Sequence, residues 1–237
     1  GDLTFDNGED AGKDLTWDVS ADSLIFNDGV YAKFGTGSDG SLLHDGNHFY
    51  IENGTGEIRI RPKSGENAIV CAADSDVKIY YDNEQRIATT KEGVNVSGMM
   101  SATAGLGVTG GMYEGCFIKA GKLSDNTNLD LAQGNVFLFT TEETTTCTPN
   151  IRWNSTYSLN NKIKLGETVA VTVITTADAS GYSANWTVDG SAVTEQWNGG
   201  SAPTAGGADG YDVYTLQVIK NSTSPGYLVL ANVANFT

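Results

Sequence analysis

Ile58-Arg59-Ile60-Arg61-Pro62-Lys63 puts an apolar side chain at every second position and a basic one between. Successive side chains of a strand point to opposite faces, so the run predicts a strand with one dry and one wet face. Moving outward, short apolar clusters of the same kind recur on both sides. Upstream are Leu3-Thr4-Phe5, Leu15-Thr16-Trp17, Leu24-Ile25-Phe26, residues 31–34, Leu42-Leu43 and Phe49-Tyr50-Ile51. Downstream are Ala68-Ile69-Val70, residues 77–80, Arg86-Ile87-Ala88 and Val94-Asn95-Val96. Each cluster starts 7 to 12 residues after the last, and the gaps hold Asp28-Gly29, Asp45-Gly46, Asn53-Gly54 and Asp82-Asn83. Such pairs supply the positive φ angles of tight turns. No i, i+3, i+4, i+7 stripe runs beyond about two turns. The chain is predicted to be all-β.

Strands of three or four residues with one or two inward side chains do not close a core alone. Residues 1–98 are therefore expected to be a fibrous region, β-prism-like or β-solenoid-like. It would be stabilised by stacking or by wrapping with other copies as an intertwined homotrimer; the competing reading is an ordinary monomeric β-sandwich. Residues 99–115 are rich in glycine and carry Glu114 as their one charge, which marks a neck or linker. From residue 116 to 237 the strands lengthen. Eight are expected, at residues 117–120, 128–131, 135–140, 150–153, 168–174, 185–188, 211–219 and 227–233. That number suits an antiparallel β-sandwich knob of jelly-roll type.

Bulk composition narrows the function. Of 237 residues 39% are hydrophobic and 18% charged, too apolar for disorder and too polar for a membrane protein. No apolar run approaches the ~18–20 residues of a spanning helix, and nothing reads as a signal peptide. The chain opens on Gly1, so its native N-terminus is expected upstream or trimmed. Fourteen Lys and Arg against 29 Asp and Glu give a net charge of −15. That field repels phosphate backbones and anionic lipid, so neither nucleic acid nor membrane is expected as a partner. The acidity reads as solubility, with bridging by divalent cations as the sharper alternative. Cys71, Cys116 and Cys147 show no CxxC spacing, and His44 and His48 are the only histidines. No zinc site or disulfide framework is expected, and all three thiols are read as buried small apolar groups.

Three enzyme-like patterns fail on inspection. Gly35-Thr36-Gly37-Ser38-Asp39 resembles one turn of a calcium-binding β-helix repeat, but such cages need tandem copies. Paired carboxylates for glycan hydrolysis are not identifiable among acids that lie mostly in turns. His44 and His48 sit in a turn-rich stretch without a GxSxG elbow. No catalytic residue, cofactor or metal is expected. A binding loop is more promising. Residues 195–211 form a glycine-rich stretch with an aromatic near each end, and Gln196, Trp197, Asn198, Asp209 and Tyr211 are its candidate glycan- or receptor-binding residues. Aromatic faces stack on sugar rings while amides and carboxylates bond hydroxyls. The plainer alternative is that Trp197 and Tyr211 anchor the loop or fill a trimer contact. Trp17, Trp153 and Trp186 are expected in the core.

Residues 33–51, with Phe34-Gly35-Thr36-Gly37-Ser38-Asp39 and His44-Asp45-Gly46, resemble a segment of tail-fibre and other virion proteins of marine and cyanobacterial tailed bacteriophages. The resemblance continues through Gly54-Thr55-Gly56, Ile58-Arg59-Ile60 and residues 79–98, with order and spacing kept. Residues 166–167, 185–207 and 214–220 resemble a terminal domain found on proteins of the same phages. The resemblance implies a structural virion protein, most simply a tail fibre or appendage. It would associate with itself and other virion proteins and present its knob to a host-surface glycan. A capsid decoration, head-fibre or cement protein without a receptor, and a carbohydrate-binding module, are the alternatives.

Overall fold

The structure is a computed structural model and describes residues 1–224 and 226–236. The chain divides into two compact units, Gly1–Leu106 and Gly107–Thr237, with the division inside the glycine-rich stretch 99–115. Among the described residues, strands account for nearly all the regular secondary structure of both.

The first unit holds three antiparallel sheets. One comprises β1 (Leu3–Phe5), β2 (Leu15–Asp18) and β3 (Ser23–Phe26), and the next β4 (Ala32–Phe34), β5 (Gly40–His44) and β6 (Phe49–Asn53). The third holds β7 (Ile58–Ile60), β8 (Ile69–Cys71), β9 (Val77–Tyr81), β10 (Glu84–Thr90) and β11 (Gly93–Val96). Every strand pairs with its sequence neighbour. Between β9 and β10 both Asp82 (φ 51°) and Asn83 (φ 59°) are left-handed, as a two-residue primed turn requires. Turns this tight join only antiparallel neighbours, because a parallel pair needs a crossover of about a dozen residues. The single chain therefore meanders and does not wind as the expected solenoid.

These sheets do not enclose a core. Of residues 1–106 only Ser41, Val70 and Ala88 are buried. In the five-stranded sheet Ile60, Ile69, Ile79, Ile87 and Val96 stand in one cross-strand row. Their face is open: Ile60 is 53% and Ile79 42% exposed. The other face carries the row Arg59, Val70, Lys78, Ala88 and Asn95. The smaller sheets repeat the pattern. Leu3, Phe5, Trp17, Leu24 and Phe26 share one exposed face, and Phe34, Phe49 and Ile51 another. Trp17 is thus not a core residue of its unit, because nothing among that unit's residues covers its face.

The second unit contains β12 (Cys116–Lys119), β13 (Asn128–Asp130), β14 (Val136–Glu143), β15 (Asn150–Arg152), β16 (Thr168–Ala177), β17 (Thr187–Val188), β18 (Ser191–Ala192), β19 (Glu195–Trp197), β20 (Tyr211–Ser222) and β21 (Gly226–Phe236). From β12 to β17 successive strands alternate between two sheets. β12, β14 and β16 run parallel in one, and β13, β15 and β17 parallel in the other. β20 and β21 then join the first sheet antiparallel, while β19 lies parallel to β21 on its edge. The six-stranded order is β12-β14-β16-β20-β21-β19 and the four-stranded order β13-β15-β17-β18. The expected antiparallel pairing is therefore corrected to mixed. Residues 120–135 and 144–167 are long enough to cross to the second sheet, add a strand and return, which yields parallel neighbours.

This unit has a core. Phe137, Phe139, Val171, Val173, Leu216, Val218 and Val229 from the larger sheet meet Leu129, Ile151 and Val188 from the smaller. Trp186 is buried with them, its ring 5.7 Å from that of Tyr214, and Trp153 packs at the margin. Alternation is kept along the strands, so Val171, Val173, Leu216 and Val218 point inward and Thr172, Thr215 and Gln217 outward. Cys116, expected to be buried, is exposed because its position on the edge strand β12 faces outward. Burial pushes the Cys147 thiol up to about 11, so it stays protonated beside Ser183 Oγ at 3.1 Å.

Candidate functional site

An open groove of about 660 Å³ lies on the outer face of the six-stranded sheet, against its β19 edge. Its floor is formed by outward residues of three strands. Ala170, Gln217 and Leu230 are aligned across β16, β20 and β21, as are Thr172, Thr215 and Asn232. Gln196 lies beside Leu230, and Asn198 Nδ2 donates to Asn232 Oδ1 at 3.1 Å. Amides and hydroxyls both donate and accept, and no charged side chain lines the groove. Such a surface suits a neutral, hydroxyl-rich ligand.

The five residues expected to form one binding loop are divided. Gln196, Trp197 and Asn198 line the groove. Trp197 also packs against the core, so its ring anchors the end of β19 as the plainer reading proposed. Tyr211 pairs with Phe236, whereas Trp197 pairs with Ala231, which lies opposite Leu216. The offset of five strand positions amounts to roughly 17 Å at about 3.4 Å per residue. Asp209 is exposed in the turn before β20, outside the groove. Thr172, Thr215, Gln217 and Asn232, which complete the groove, were not among the candidates. Their polarity is visible in the sequence, but their approach to Gln196 depends on β19 adding to β21, and a three-residue strand leaves almost no pattern.

The glycine-rich loop is pinned. Asp212 is buried and accepts from Asn235 Nδ2 at 2.5 Å and from Gly207 N at 3.1 Å. Gly206 presses on the Asp178 carbonyl, where any Cβ would collide. Beneath it, buried Glu143 accepts from Ser124 N at 2.7 Å, Ser124 Oγ at 2.9 Å, and Thr144 N, Thr145 N and Thr145 Oγ1 at 3.0 Å each. Burial pushes this carboxyl up, but the hydrogen bonds from Ser124 and Thr145 outweigh it and hold it below the ordinary glutamate range. It ties the segments around Ser124 and Thr145 to the end of β14.

Among the described residues no three His, Cys, Asp or Glu side chains converge on a cation position, and no helix is long and apolar enough to cross a membrane. No protein-family profile, curated protein or solved structure matches the chain.

Proposed function

We propose that this chain is a structural, non-enzymatic protein of a tailed-bacteriophage particle, a tail fibre or similar appendage that works as a homotrimer. Residues 1–98 form its fibrous part, a prism-like assembly in which sheets of several copies cover one another. The second unit is a sandwich-type knob carried on the fibre and presented to the host surface. One observation carries the reading: all three sheets of the first unit leave an apolar face open. Contiguous apolar patches beyond a few hundred Å² are rare on soluble monomers. Covering a half-exposed Ile, Leu or Phe stabilises by about 1 kcal/mol, and nine such side chains, from Leu3 to Ile79, stand exposed on these faces. The phage assignment draws on the sequence resemblance of residues 33–98.

Light scattering on the purified chain tests the assembly. The expected mass is three times the 25.0 kDa of one chain; a monomer at micromolar concentration would overturn the fibre. Immunogold labelling of virions at the C-terminus tests the location, with label on the tail expected and label over the head favouring a decoration protein. The neutral groove beside Trp197 supports a second reading, a carbohydrate-binding module. A monomer that binds neutral oligosaccharides would favour it.

A further inference from the structure

The outer face of the six-stranded sheet carries a second apolar row. Ile118, Leu138, Ile174, Val213 and Ala234 come from five neighbouring strands, β12, β14, β16, β20 and β21, and stand in register. Tyr211 and Phe236 continue the patch, and Ile118 is 64% exposed. The face is also nearly free of charge: among the described strand residues Glu142, past the irregularity near the end of β14, is the one charged side chain on the outward side. No Asp, Glu, Lys or Arg occupies an outward position from 116 to 118, 136 to 140, 168 to 176, 211 to 219 or 228 to 236, in a chain with 43 charged residues (29 + 14). On the four-stranded sheet, by contrast, the positions alternating with Leu129 and Ile151 carry the Asp130–Arg152 ion pair at 2.6 Å.

We propose that this face is an interface between copies of the chain, so that the second unit self-associates as well as the first. An apolar centre depleted of charge, with a polar rim at the β19 edge, is the composition of an interface. Charge selects the occupant. Every copy carries −15, so two copies approach most closely through a face whose centre contributes no charge. Five strands about 4.8 Å apart and eight residues of about 3.3 Å each give a face of about 600 Å². A stable interface takes about 800 Å² per partner. The shortfall is met by tethering. The inference rests on association of the first unit, which would hold the second units together at effective concentrations of about millimolar.

Cross-linking of the full chain tests it. In a Cys71→Ser, Cys116→Ser, Cys147→Ala background, Ile174→Cys lies mid-face and Ser191→Cys on the other sheet. With a short bis-maleimide, Ile174→Cys is expected to form covalent multimers about tenfold faster or more than Ser191→Cys, and Val213→Glu is expected to abolish the difference. Equal rates in a chain that light scattering shows to be multimeric would overturn this interface and leave the first-unit assembly standing. A monomeric mass would overturn both. Cross-linking at Ile174→Cys that neutral oligosaccharide competes away, with the mass unchanged, would assign the face to that ligand and overturn the inference. Should the cysteine variants lose their circular dichroism, native Cys116 decides. Its maleimide labelling is expected to be slower in the unaltered protein than in Val213→Glu, and equal rates would overturn the interface.

Discussion

The two units draw on similar strand-forming residues, yet one closes a core and the other does not. In the first, connections of two to nine residues confine each strand to pairing with sequence neighbours inside its own sheet, and each meander stays one layer thick. Its apolar residues alternate correctly, but no second layer faces them. In the second, the segments 120–135 and 144–167 let the chain alternate between two sheets, and each pass adds inward side chains from both sides. Connection length, more than strand content, decides whether a β-rich stretch is self-sufficient. Where the connections are too short for a second layer, the apolar face stays open within the single chain.

Charge placed on comparable faces should break this contrast most sharply. Val173→Asp puts an unpaired carboxylate in the second unit's core and is expected to cost about 3–5 kcal/mol, read as loss of the cooperative denaturant transition. Ile79→Asp, on the open face of the first unit, is expected to change single-chain stability by no more than about 0.5 kcal/mol while reducing the multimer mass seen by light scattering. Equal destabilisation by both would mean that the first unit has a core of its own.

The next effect sharpens the view of the pinned loop. Gly206→Ala drives a methyl into the Asp178 carbonyl and is expected to cost about 2–3 kcal/mol, with protease cleavage appearing within residues 201–210. Glu143→Gln swaps an acceptor for an amide facing N–H and O–H donors, at an expected cost of about 1–3 kcal/mol by thermal melting at neutral pH. The pH dependence has a definite sign. The folded carboxyl lies below its unfolded value of about 4.3, so its stabilisation is complete above that pH and fades as pH falls through the folded value. Glu143→Gln should accordingly flatten part of the acid branch of the stability curve. The smallest effect is expected at the groove. Asn232→Ala removes an exposed amide pair and should shift stability by about 0.5 kcal/mol or less in a urea titration.

The strands were legible where the signal is local. Each cluster from Leu3-Thr4-Phe5 to Val94-Asn95-Val96 became a strand, because alternation and flanking turns act within a few residues. Their partnering was not legible. Nothing in residues 144–167 states that the chain crosses to a second sheet, and the two- and three-residue strands β18 and β19 are too short to alternate visibly. The geometry of the candidate loop was hidden for the same reason. Trp197 and Tyr211 flank one glycine-rich stretch, but sheet register, which sequence distance does not encode, sets them apart.

Pairing of every first-unit strand with its neighbour also sets a timetable. Hairpins of this kind close in about 1–10 μs, and a topology of local contacts has a small entropic barrier. The second unit must wait, since β14 finds its second partner only when residues 172–175 have been made. At a synthesis rate of about 5–20 residues per second, that delay after β11 lasts several seconds. During those seconds the meanders are complete, apolar on one side and still attached to ribosomes reading the same message. Copies made side by side can meet in that interval, so the assembly proposed above would begin before any chain is finished.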